Sequence, residues 1–168
     1  MKITNSNTAD IPEIFRLYRL ATAFQKTKKC VQWPEFSTEL VSKEIAESRQ
    51  WKLMIGQIVA CVWAVTFEDP EIWEEKDVDK AMYIHRIATN PEYRGQHLVE
   101  HIVTWSKGYA QENKLDYIRM DTVGENLGLI SHYKKCGFEY LGLTKLKSTV
   151  SLPAHYENAC VSLFQIKL

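Results

Sequence analysis

Hydrophobic positions change their spacing along the first half of the chain in a way that predicts both strands and helices. The stretch "MKITNSN" predicts a short edge strand, and Asp10 with Pro12 marks the start of a helix through "IPEIFRLYRLATAF". Ser37 is a typical capping residue for a second helix in "STELVSKEIAES". "WKLMIGQIVACVWAVTF" predicts a hairpin that turns at Gly56 and Gln57. Its second arm is nearly all apolar, as expected of a strand that is covered on both faces.

The second half of the chain also contains predicted strands and helices in alternation. "EDPEIWEEKDVDK" is acidic and predicts a solvated loop, and "AMYIHRIAT" predicts a strand that ends at Asn90 and Pro91. We expect a helix over residues 97–113, a strand in "YIRMDTV", and a helix in "NLGLISHYKKC" that is capped by Asn126 and ended by Gly137. "FEYLGLTKL" and "ACVSLFQIKL" close the chain as strands. This order favours the α/β class, with a mixed sheet and helices on both of its faces.

Composition narrows the classes of protein to consider. A chain of 168 residues is most simply one domain, residues 1–168, with a single core. Its formal net charge of zero argues against a general binder of nucleic acid or of a membrane surface. The four cysteines are far apart and include no C-x-x-C pair, which predicts reduced thiols. The polar start and the lack of a long apolar run predict a cytoplasmic location.

The stretch "RGQHLVEHIV" fits two kinds of site. His97, Glu100 and His101 have the H-x-x-E-H order of one class of zinc peptidase. On a helix, however, these three side chains lie at the centre of the polar, solvent-facing side, and no third ligand is evident. Arg94 and Gly95 come between a strand and a helix, where unpaired N–H groups and the helix dipole favour an anion. The pattern therefore favours an anion site and no metal.

Two longer stretches, "YIHRIATNPEYRGQHLVEHIVTWSKGYA" and "YIRMDTVGENLGLISHYKKCGF", resemble the GNAT superfamily of acyl-CoA-dependent N-acetyltransferases. The resemblance covers most of residues 50–142, and the order of elements extends it along the chain. It implies a single N-acetyltransferase-like domain with a mixed, mostly antiparallel central sheet that is splayed between its fourth and fifth strands. Acyl-CoA would lie in that opening.

The resemblance also implies a set of cofactor-binding residues. The pantetheine arm would pair with the fourth strand, and the pyrophosphate would lie on the turn that follows. By position, the pantetheine and the thioester carbonyl would be held by Ile87, Ala88 and Thr89, the pyrophosphate by Arg94, Gly95, Gln96, His97, Leu98 and Val99, and the pantetheine arm also by Asn126.

The turn departs from the usual form of the family, R-x-x-G-x-G/A. His97 and Val99 occupy the positions of the two small residues, so a side chain stands where phosphate usually meets bare backbone. Two outcomes are open. Either the His97 imidazole itself donates to the pyrophosphate, or the cofactor site is weakened.

Acyl transfer from a thioester needs an oxyanion donor and a proton for the leaving thiolate. The N–H of Ile87 is the positional candidate for the oxyanion, a role typically worth about 3 kcal/mol. By resemblance, Tyr133 would stand beside the sulfur, and a phenol of pKa about 10 can protonate a thiolate whose acid has a pKa of about 8.5. From the residues alone, a core tyrosine is the favoured interpretation of Tyr133, because Leu129, Ile130 and Cys136 lie near it on the helix; the resemblance favours a catalytic role.

The general base is less clearly marked. His85 shares one strand face with Tyr83 and Ile87 and has a suitable side chain, although a hydrogen-bonded structural histidine fits the same position. Asp121 on a neighbouring strand is a further candidate, and deprotonation through water needs no dedicated side chain. We therefore take Tyr133 and His85 as the candidate catalytic residues.

The acceptor site is predicted only in outline. The candidate substrate-binding residues are aromatic or imidazole side chains: Trp33, Tyr83, His155 and Tyr156. The acidic stretch of residues 71–79 indicates a cationic acceptor. The predicted function is transfer of an acetyl group from acetyl-CoA, as co-substrate, to a primary amine in a direct ternary complex, without nucleic-acid or membrane partners. A non-catalytic acyl-CoA-binding or sensing domain is the alternative, and an H-x-x-E-H zinc peptidase a remote third. The sequence leaves open the acceptor and the oligomeric state, a homodimer included.

Overall fold

The computed structural model describes residues 1–28 and 30–168, and its helices and strands follow the predicted order closely. The five helices of this described part are α1 (Ile11–Thr27), α2 (Thr38–Ala46), α3 (Pro70–Trp73), α4 (Leu98–Glu112) and α5 (Leu127–Lys135). Its seven strands are β1 (Lys2–Asn5), β2 (Gln50–Ile55), β3 (Ile58–Thr66), β4 (Ala81–Thr89), β5 (Tyr117–Val123), β6 (Glu139–Lys145) and β7 (Cys160–Lys167). None of the described helices has both the length and the apolar character that crossing a bilayer requires. All four cysteines are free thiols, as predicted.

The strands form one seven-stranded sheet in the order β1-β2-β3-β4-β5-β7-β6. The pairs β1/β2, β2/β3, β5/β7 and β6/β7 are antiparallel, whereas β4 and β5 are parallel. The parallel register joins Ala81–Tyr83 to Tyr117–Arg119, while β5 pairs with β7 along its whole length. The predicted fold class, an α/β protein with a mixed and mostly antiparallel sheet, is confirmed.

The helix boundaries follow from local chemistry that the sequence announces. Ser37 Oγ accepts a hydrogen bond from the Leu40 N–H at 3.1 Å and so caps α2, as predicted. Asn126 Oδ1 accepts from the Leu129 N–H at 3.0 Å and caps α5 in the same way. Gly137, with φ of +99°, follows the end of α5 in the left-handed conformation that terminates many helices.

The chain divides into two compact units. The first comprises Met1–Val65 and Ile84–Leu98, and the second comprises Thr66–Tyr83 and Val99–Leu168. The core of the first unit is built from α1, α2, β3 and β4 by Ile14, Leu17, Tyr18, Phe36, Val41, Val62 and Ala88. A core of the second unit contains Ile72, Trp73, Ala81, Tyr83, Leu146, Tyr156, Val161 and Leu163. Whether residues 1–168 behave as one domain stays a prediction.

The acidic stretch after β3 is not the solvated loop that its charge predicts. It folds into α3 and a following 3₁₀ helix, Glu74–Val78, and both Ile72 and Trp73 are only 2 % exposed. Two large apolar side chains among several carboxylates gave no periodic signal. The loop prediction was therefore wrong, because burial of these two residues ties the segment to the core of the second unit.

A buried arginine holds this segment in place. Arg119 on β5 donates through Nη1 to the carbonyl of Lys76 at 2.6 Å and forms an ion pair with Asp79. Its guanidinium carbon also lies 4.7 Å from the centroid of the Trp73 ring, a cation–π distance. Arg119 thus binds the main chain, a carboxylate and an aromatic ring of the same acidic segment.

Candidate active site

The turn before α4 has an unusual backbone for its sequence. Gly95 has φ of +80° and His97 has φ of +56°, so both lie in the left-handed region, and α4 begins at the next residue, Leu98. For a residue with a side chain this region costs on the order of 1–2 kcal/mol, although histidine enters it more often than most. His97 therefore keeps a backbone conformation that favours glycine, at the position where the family pattern has glycine.

The start of this turn is fixed by hydrogen bonds within the first unit. Asn90 is buried, its N–H donates to the Ala60 carbonyl at 2.9 Å, and its Oδ1 accepts from the Glu92 N–H at 3.2 Å. Arg94 is exposed, and its guanidinium carbon lies 4.1 Å from the centroid of the Phe24 ring in the last turns of α1. The turn thus presents a cation on a fixed backbone.

The last residues of β4 connect this turn to the core. Ala88 is fully buried, and Thr89 Oγ1 lies 3.6 Å from the Cys61 thiol sulfur. Burial is the main reason that the pKa of Cys61 is raised to about 12. Arg86, just before Ile87, has φ of +53°, which is the conformation of a residue in one type of β-bulge. Ile87 therefore follows a break in regular strand geometry.

His85 is placed where its ring stays neutral. Burial, and then the positive charges of Arg86 and Arg49, lower its pKa to about 3. A group with this pKa is a weak proton acceptor at neutral pH. This environment argues against His85 as the general base and fits a neutral histidine with a structural role.

Asp121, in the second unit, has the opposite electrostatics. Its Oδ2 accepts a hydrogen bond from the Tyr156 hydroxyl at 2.8 Å. Burial raises its pKa to about 6, and the Tyr156 hydrogen bond opposes that rise. A carboxylate with a pKa near 6 is ionised at neutral pH and binds a proton more readily than an ordinary aspartate. By its pKa, Asp121 is therefore a better candidate for the general base than His85.

A second carboxyl group stands close to Asp121. Oxygens of Asp69 and Asp121 lie within 4.8 Å of each other, and the N–H of Asp69 donates to Asp77 Oδ1 at 2.7 Å. The pKa of Asp69 is raised to about 8, mainly by burial. The negative charges of Asp121, Asp77 and Glu71 raise it further. Asp69 therefore keeps its proton near neutral pH, which leaves Asp121 as the ionised member of the pair. The sequence analysis missed Asp69, because only the fold brings it to Asp121.

Tyr133 lies on α5 with 8 % of its surface exposed. Its ring centroid is 5.3 Å from that of Phe164 and 6.1 Å from that of Phe138, both in edge-on geometry. The ring is thus fixed by aromatic packing, as the core interpretation expects. A fixed ring is also what a proton donor to a thiolate requires, so the two interpretations are compatible.

The four candidate substrate-binding residues are in different surroundings. Tyr83 is fully buried, its ring centroid lies 5.8 Å from that of Trp73, and burial raises the pKa of its hydroxyl well above the usual range. Tyr156 is buried against Asp121, with the ring of His155 4.3 Å away. Trp33 is partly exposed and packs on the Tyr18 ring at 5.9 Å. The burial of Tyr83 leaves its ring no surface for an acceptor, which does not support that prediction.

The remaining cofactor candidates lie at or just before the N-terminal ends of α4 and α5. Leu98 and Val99 are buried on the apolar side of α4, while Gln96 and His97 are exposed. Their side chains give Leu98 and Val99 a packing role, so only their main-chain N–H groups are available to an anion at the helix start. Asn126 uses its side-chain oxygen to cap α5.

The zinc interpretation of the H-x-x-E-H order gains no support. His97, Glu100 and His101 are all exposed, as the helical spacing predicts. Across residues 1–28 and 30–168 they do not form a group with three ligand atoms close enough to share an ion. A zinc peptidase needs these ligands converging and supported by further hydrogen bonds.

Comparison with known sequences identifies the family. A sequence model of the acetyltransferase (GNAT) family matches residues 14–138. The "Uncharacterized N-acetyltransferase YesJ" of Bacillus subtilis (strain 168) is 27% identical over 88 residues, which are 52% of this chain and 49% of that protein. The chain thus spans about half the length of this curated relative.

Solved structures with the same fold belong to acetyltransferases. A GNAT-family acetyltransferase from Listeria monocytogenes 4b F2365 has a TM-score of 0.78 at 20% identity, with 99% of this chain and 94% of that chain covered. One from Streptococcus agalactiae 2603 has a TM-score of 0.75 at 20% identity, covering 99% and 95%. A ribosomal-protein-alanine N-acetyltransferase from Brucella melitensis has a TM-score of 0.70 at 15% identity, covering 100% of both chains. These similarities show the fold. Together with the family match over residues 14–138, they confirm the resemblance, and the chain belongs to the acetyltransferase (GNAT) family.

Proposed function

We propose that this protein transfers an acetyl group from acetyl-CoA to a primary amine in a direct ternary complex. The C–S bond of the thioester breaks and a C–N bond forms, so the products are free CoA and an N-acetylated amine. Membership of the acetyltransferase (GNAT) family supports this reaction class. No metal takes part in the proposed reaction.

The observation that carries the proposal is the backbone of the turn before α4. Two left-handed residues, Gly95 and His97, lead directly into a helix of 15 residues. Main-chain N–H groups at such a helix start, together with its dipole, favour a bound pyrophosphate. Arg94 beside the turn adds a positive charge, and the exposed His97 imidazole adds a possible donor to a phosphate oxygen.

The oxyanion of the tetrahedral intermediate would be stabilised by the Ile87 N–H. This residue follows the left-handed Arg86 in β4. A main-chain donor held at a fixed angle needs no reorganisation when the negative charge develops on the carbonyl oxygen. Ala88 and Thr89 would hold the pantetheine beside it, since the buried Ala88 fixes this part of β4 against the core.

The two proton transfers are assigned to two residues of the second unit. Asp121 would accept the proton of the attacking amine, directly or through water, because its pKa of about 6 lets it be both ionised and basic near neutral pH. Tyr133 would give a proton to the leaving thiolate, since its ring is fixed by Phe164 and Phe138. His85, with a pKa of about 3, is replaced by Asp121 in this assignment.

The acceptor would be cationic in solution. Asp77, Asp121 and Glu71 give the second unit a group of negative charges close to Asp69. Such a group attracts an ammonium ion and lowers the free energy of bringing it close to Asp121. His155 and Trp33, both partly exposed, remain the proposed aromatic contacts of the acceptor. A cytoplasmic location and a homodimer stay predictions.

One observation favours a second candidate function. The turn carries a histidine and a valine where the family pattern has small residues, so acyl-CoA could be bound without turnover by a sensing domain. In that case Asp121 and Tyr133 would have structural roles only. The two functions differ in a single measurable respect, which is the release of free CoA in the presence of an amine.

A screen of amines with acetyl-CoA tests the proposal. We expect at least one primary amine to cause release of free CoA and to gain one acetyl group per CoA released. Reactions without amine report hydrolysis, and reactions without protein report uncatalysed transfer. Binding of acetyl-CoA without amine-dependent CoA release across polyamines, amino acids, peptides and lysine side chains would favour the sensing function.

A further inference from the structure

Arg86 combines a strained backbone with a firmly held side chain. It lies in the middle of β4, yet its φ is +53°, a region that residues with a side chain rarely enter. Backbone outliers of this kind persist only where the surroundings hold them in place. Contacts of the Arg86 side chain are candidates for the surroundings that hold this conformation.

The guanidinium of Arg86 is fixed from three sides within the first unit. It forms an ion pair with Glu44 on α2, and its Nε donates to the Tyr18 hydroxyl on α1 at 3.2 Å. Its central carbon lies 5.0 Å from the centroid of the Phe36 ring. The Tyr18 hydroxyl also accepts a hydrogen bond from the side chain of the buried Gln50 at 3.4 Å, so a second contact fixes the position of this hydroxyl.

Burial makes this ion pair specific. The side chains of Arg86 and Glu44 are 14% and 3% exposed, and Glu44 Oε2 has no hydrogen-bond partner among the described residues. Arg49 also pairs with this carboxylate, with its Nη1 3.9 Å from Glu44 Oε1, and Arg86 forms the shorter of the two ion pairs. A pair of this kind adds little net stability, but it strongly disfavours any conformation that separates the two charges.

The position of Arg86 connects this anchor to the proposed chemistry. The next residue is Ile87, whose N–H is the proposed oxyanion donor. A change of φ at Arg86 rotates the peptide groups around it and alters the direction of that N–H. The ion pair with Glu44 and the hydrogen bond to the Tyr18 hydroxyl are polar contacts of this side chain.

We infer that Arg86 is a positioning residue: its contacts with Glu44 and Tyr18 hold the left-handed bend in β4 and so direct the Ile87 N–H toward the thioester carbonyl. The inference rests on the proposed function, because it assigns a target to that N–H. Arg86 itself does not touch the reacting atoms. Its effect is on the orientation of a main-chain donor.

The test is the double variant Arg86→Gly with Glu44→Gln. Removing both charges avoids an unpaired buried carboxylate, and glycine allows the positive φ without requiring it. We expect kcat to fall about tenfold while the KM for acetyl-CoA changes less than about twofold, because only a transition-state contact is lost. In NMR spectra, the shift of the Ile87 amide on addition of acetyl-CoA should be lost, whereas the amides of residues 94–98 should still respond.

A matched control removes another part-buried ion pair of the same unit. Lys52 Nζ lies 2.6 Å from Asp10 Oδ2, and the two side chains are 13% and 15% exposed. The double variant Lys52→Gln with Asp10→Asn should lower the melting temperature, yet leave kcat within about twofold of the wild type.

The outcomes separate this inference from the proposed function. If both double variants keep the wild-type kcat and the wild-type Ile87 response, Arg86 has only a structural role and the inference is overturned. If the wild-type protein transfers acetyl to no amine but its Ile87 amide still responds to acetyl-CoA in an Arg86-dependent way, the positioning role stands and acetyl transfer fails. No response of any amide to acetyl-CoA would overturn both.

Discussion

The two units of the chain differ in which atoms carry their proposed chemistry: the main chain in the first unit, and side chains in the second. In the first unit the main chain is the reactive or binding part, in left-handed conformations at Arg86, Gly95 and His97. In the second unit side chains with altered proton affinity carry it, above all Asp121, which accepts from Tyr156. The comparison teaches that residue type and chemical role are separable, since an arginine and a histidine would contribute here through their backbone conformations.

The same contrast applies to the two candidate bases. Positive neighbours and burial keep His85 neutral, with a pKa of about 3, while burial leaves Asp121 with a pKa of about 6. Histidine is the usual choice for a base near neutral pH, and aspartate is not. The environments reverse this order, so the side chain with the less suitable ordinary pKa becomes the better candidate for the base.

The largest expected effect is that of Asp121→Asn. Removing the proton acceptor should lower kcat by about 10³-fold, within the range for general base catalysis. In the wild type, kcat should fall as the pH drops through about 6, because protonated Asp121 can no longer accept the proton of the amine. A pH–rate profile checks both points. His85→Gln is the control and should still show the fall in kcat below about pH 6. If His85→Gln loses this fall while Asp121→Asn keeps it, His85 is the base.

Tyr133→Phe should have the next largest effect. The substitution removes the phenolic proton and keeps the aromatic packing on Phe164 and Phe138, so kcat should fall about 10²-fold with little change in acetyl-CoA affinity. Steady-state kinetics and calorimetry give the two numbers. An unchanged kcat would return Tyr133 to a purely structural role.

Gly95→Ala tests the backbone contribution of the turn. Nothing lies within 4 Å of a Cβ built on Gly95, so the only obstacle is its φ of +80°. Alanine pays about 1–2 kcal/mol in this region, and acetyl-CoA affinity should fall about tenfold if the turn relaxes to avoid that cost. Calorimetric titration measures it. Gly108→Ala in α4 is the matched control, because that position also has open space but an ordinary helical backbone, and it should leave affinity unchanged. Equal affinities for the two variants would contradict a role for the left-handed turn.

The smallest expected effects are those of the two exposed histidines. His97→Gly removes a possible phosphate donor but also relieves the strain of φ at +56°, so affinity for acetyl-CoA should stay within about tenfold. His101→Ala, further along the exposed face of α4, should change it less. Loss of activity in both variants, reproduced by a metal chelator, would instead revive the zinc interpretation.

Most of the fold could be predicted because the signals are local. The apolar run that ends at Asn90 and Pro91 predicted β4 at Ala81–Thr89, and the capping residues Ser37 and Asn126 predicted two helix starts. The acidic segment failed because Ile72 and Trp73 are buried by contacts distant in sequence, with Arg119 supplying the main anchor. Among so many carboxylates, two buried apolar residues without a helical or strand spacing cannot be recognised from the sequence.

The sequence allows candidate site residues to be named, and their roles stay predictions, but it does not reveal their conformation or electrostatics. The pattern around Arg94 and Gly95 is readable because it is a short motif. The left-handed φ of Arg86 is not, since arginine has no preference for it, and the partner that we propose to hold it, Glu44, is distant in the sequence. The pKa of Asp69 likewise depends on Asp121, which only the fold brings within 4.8 Å.

The central claim, that the turn before α4 binds the pyrophosphate of acyl-CoA, is tested most directly by calorimetric titration of the wild-type protein with acetyl-CoA and with acetyl-pantetheine. The second compound keeps the thioester and the pantetheine arm but lacks the pyrophosphate and the 3′-phosphoadenosine attached to it. The account predicts binding of acetyl-CoA, and binding of acetyl-pantetheine at least about 100-fold weaker, a difference of about 2.7 kcal/mol. Equal affinity for the two compounds, or no binding of acetyl-CoA at millimolar concentration, would contradict it.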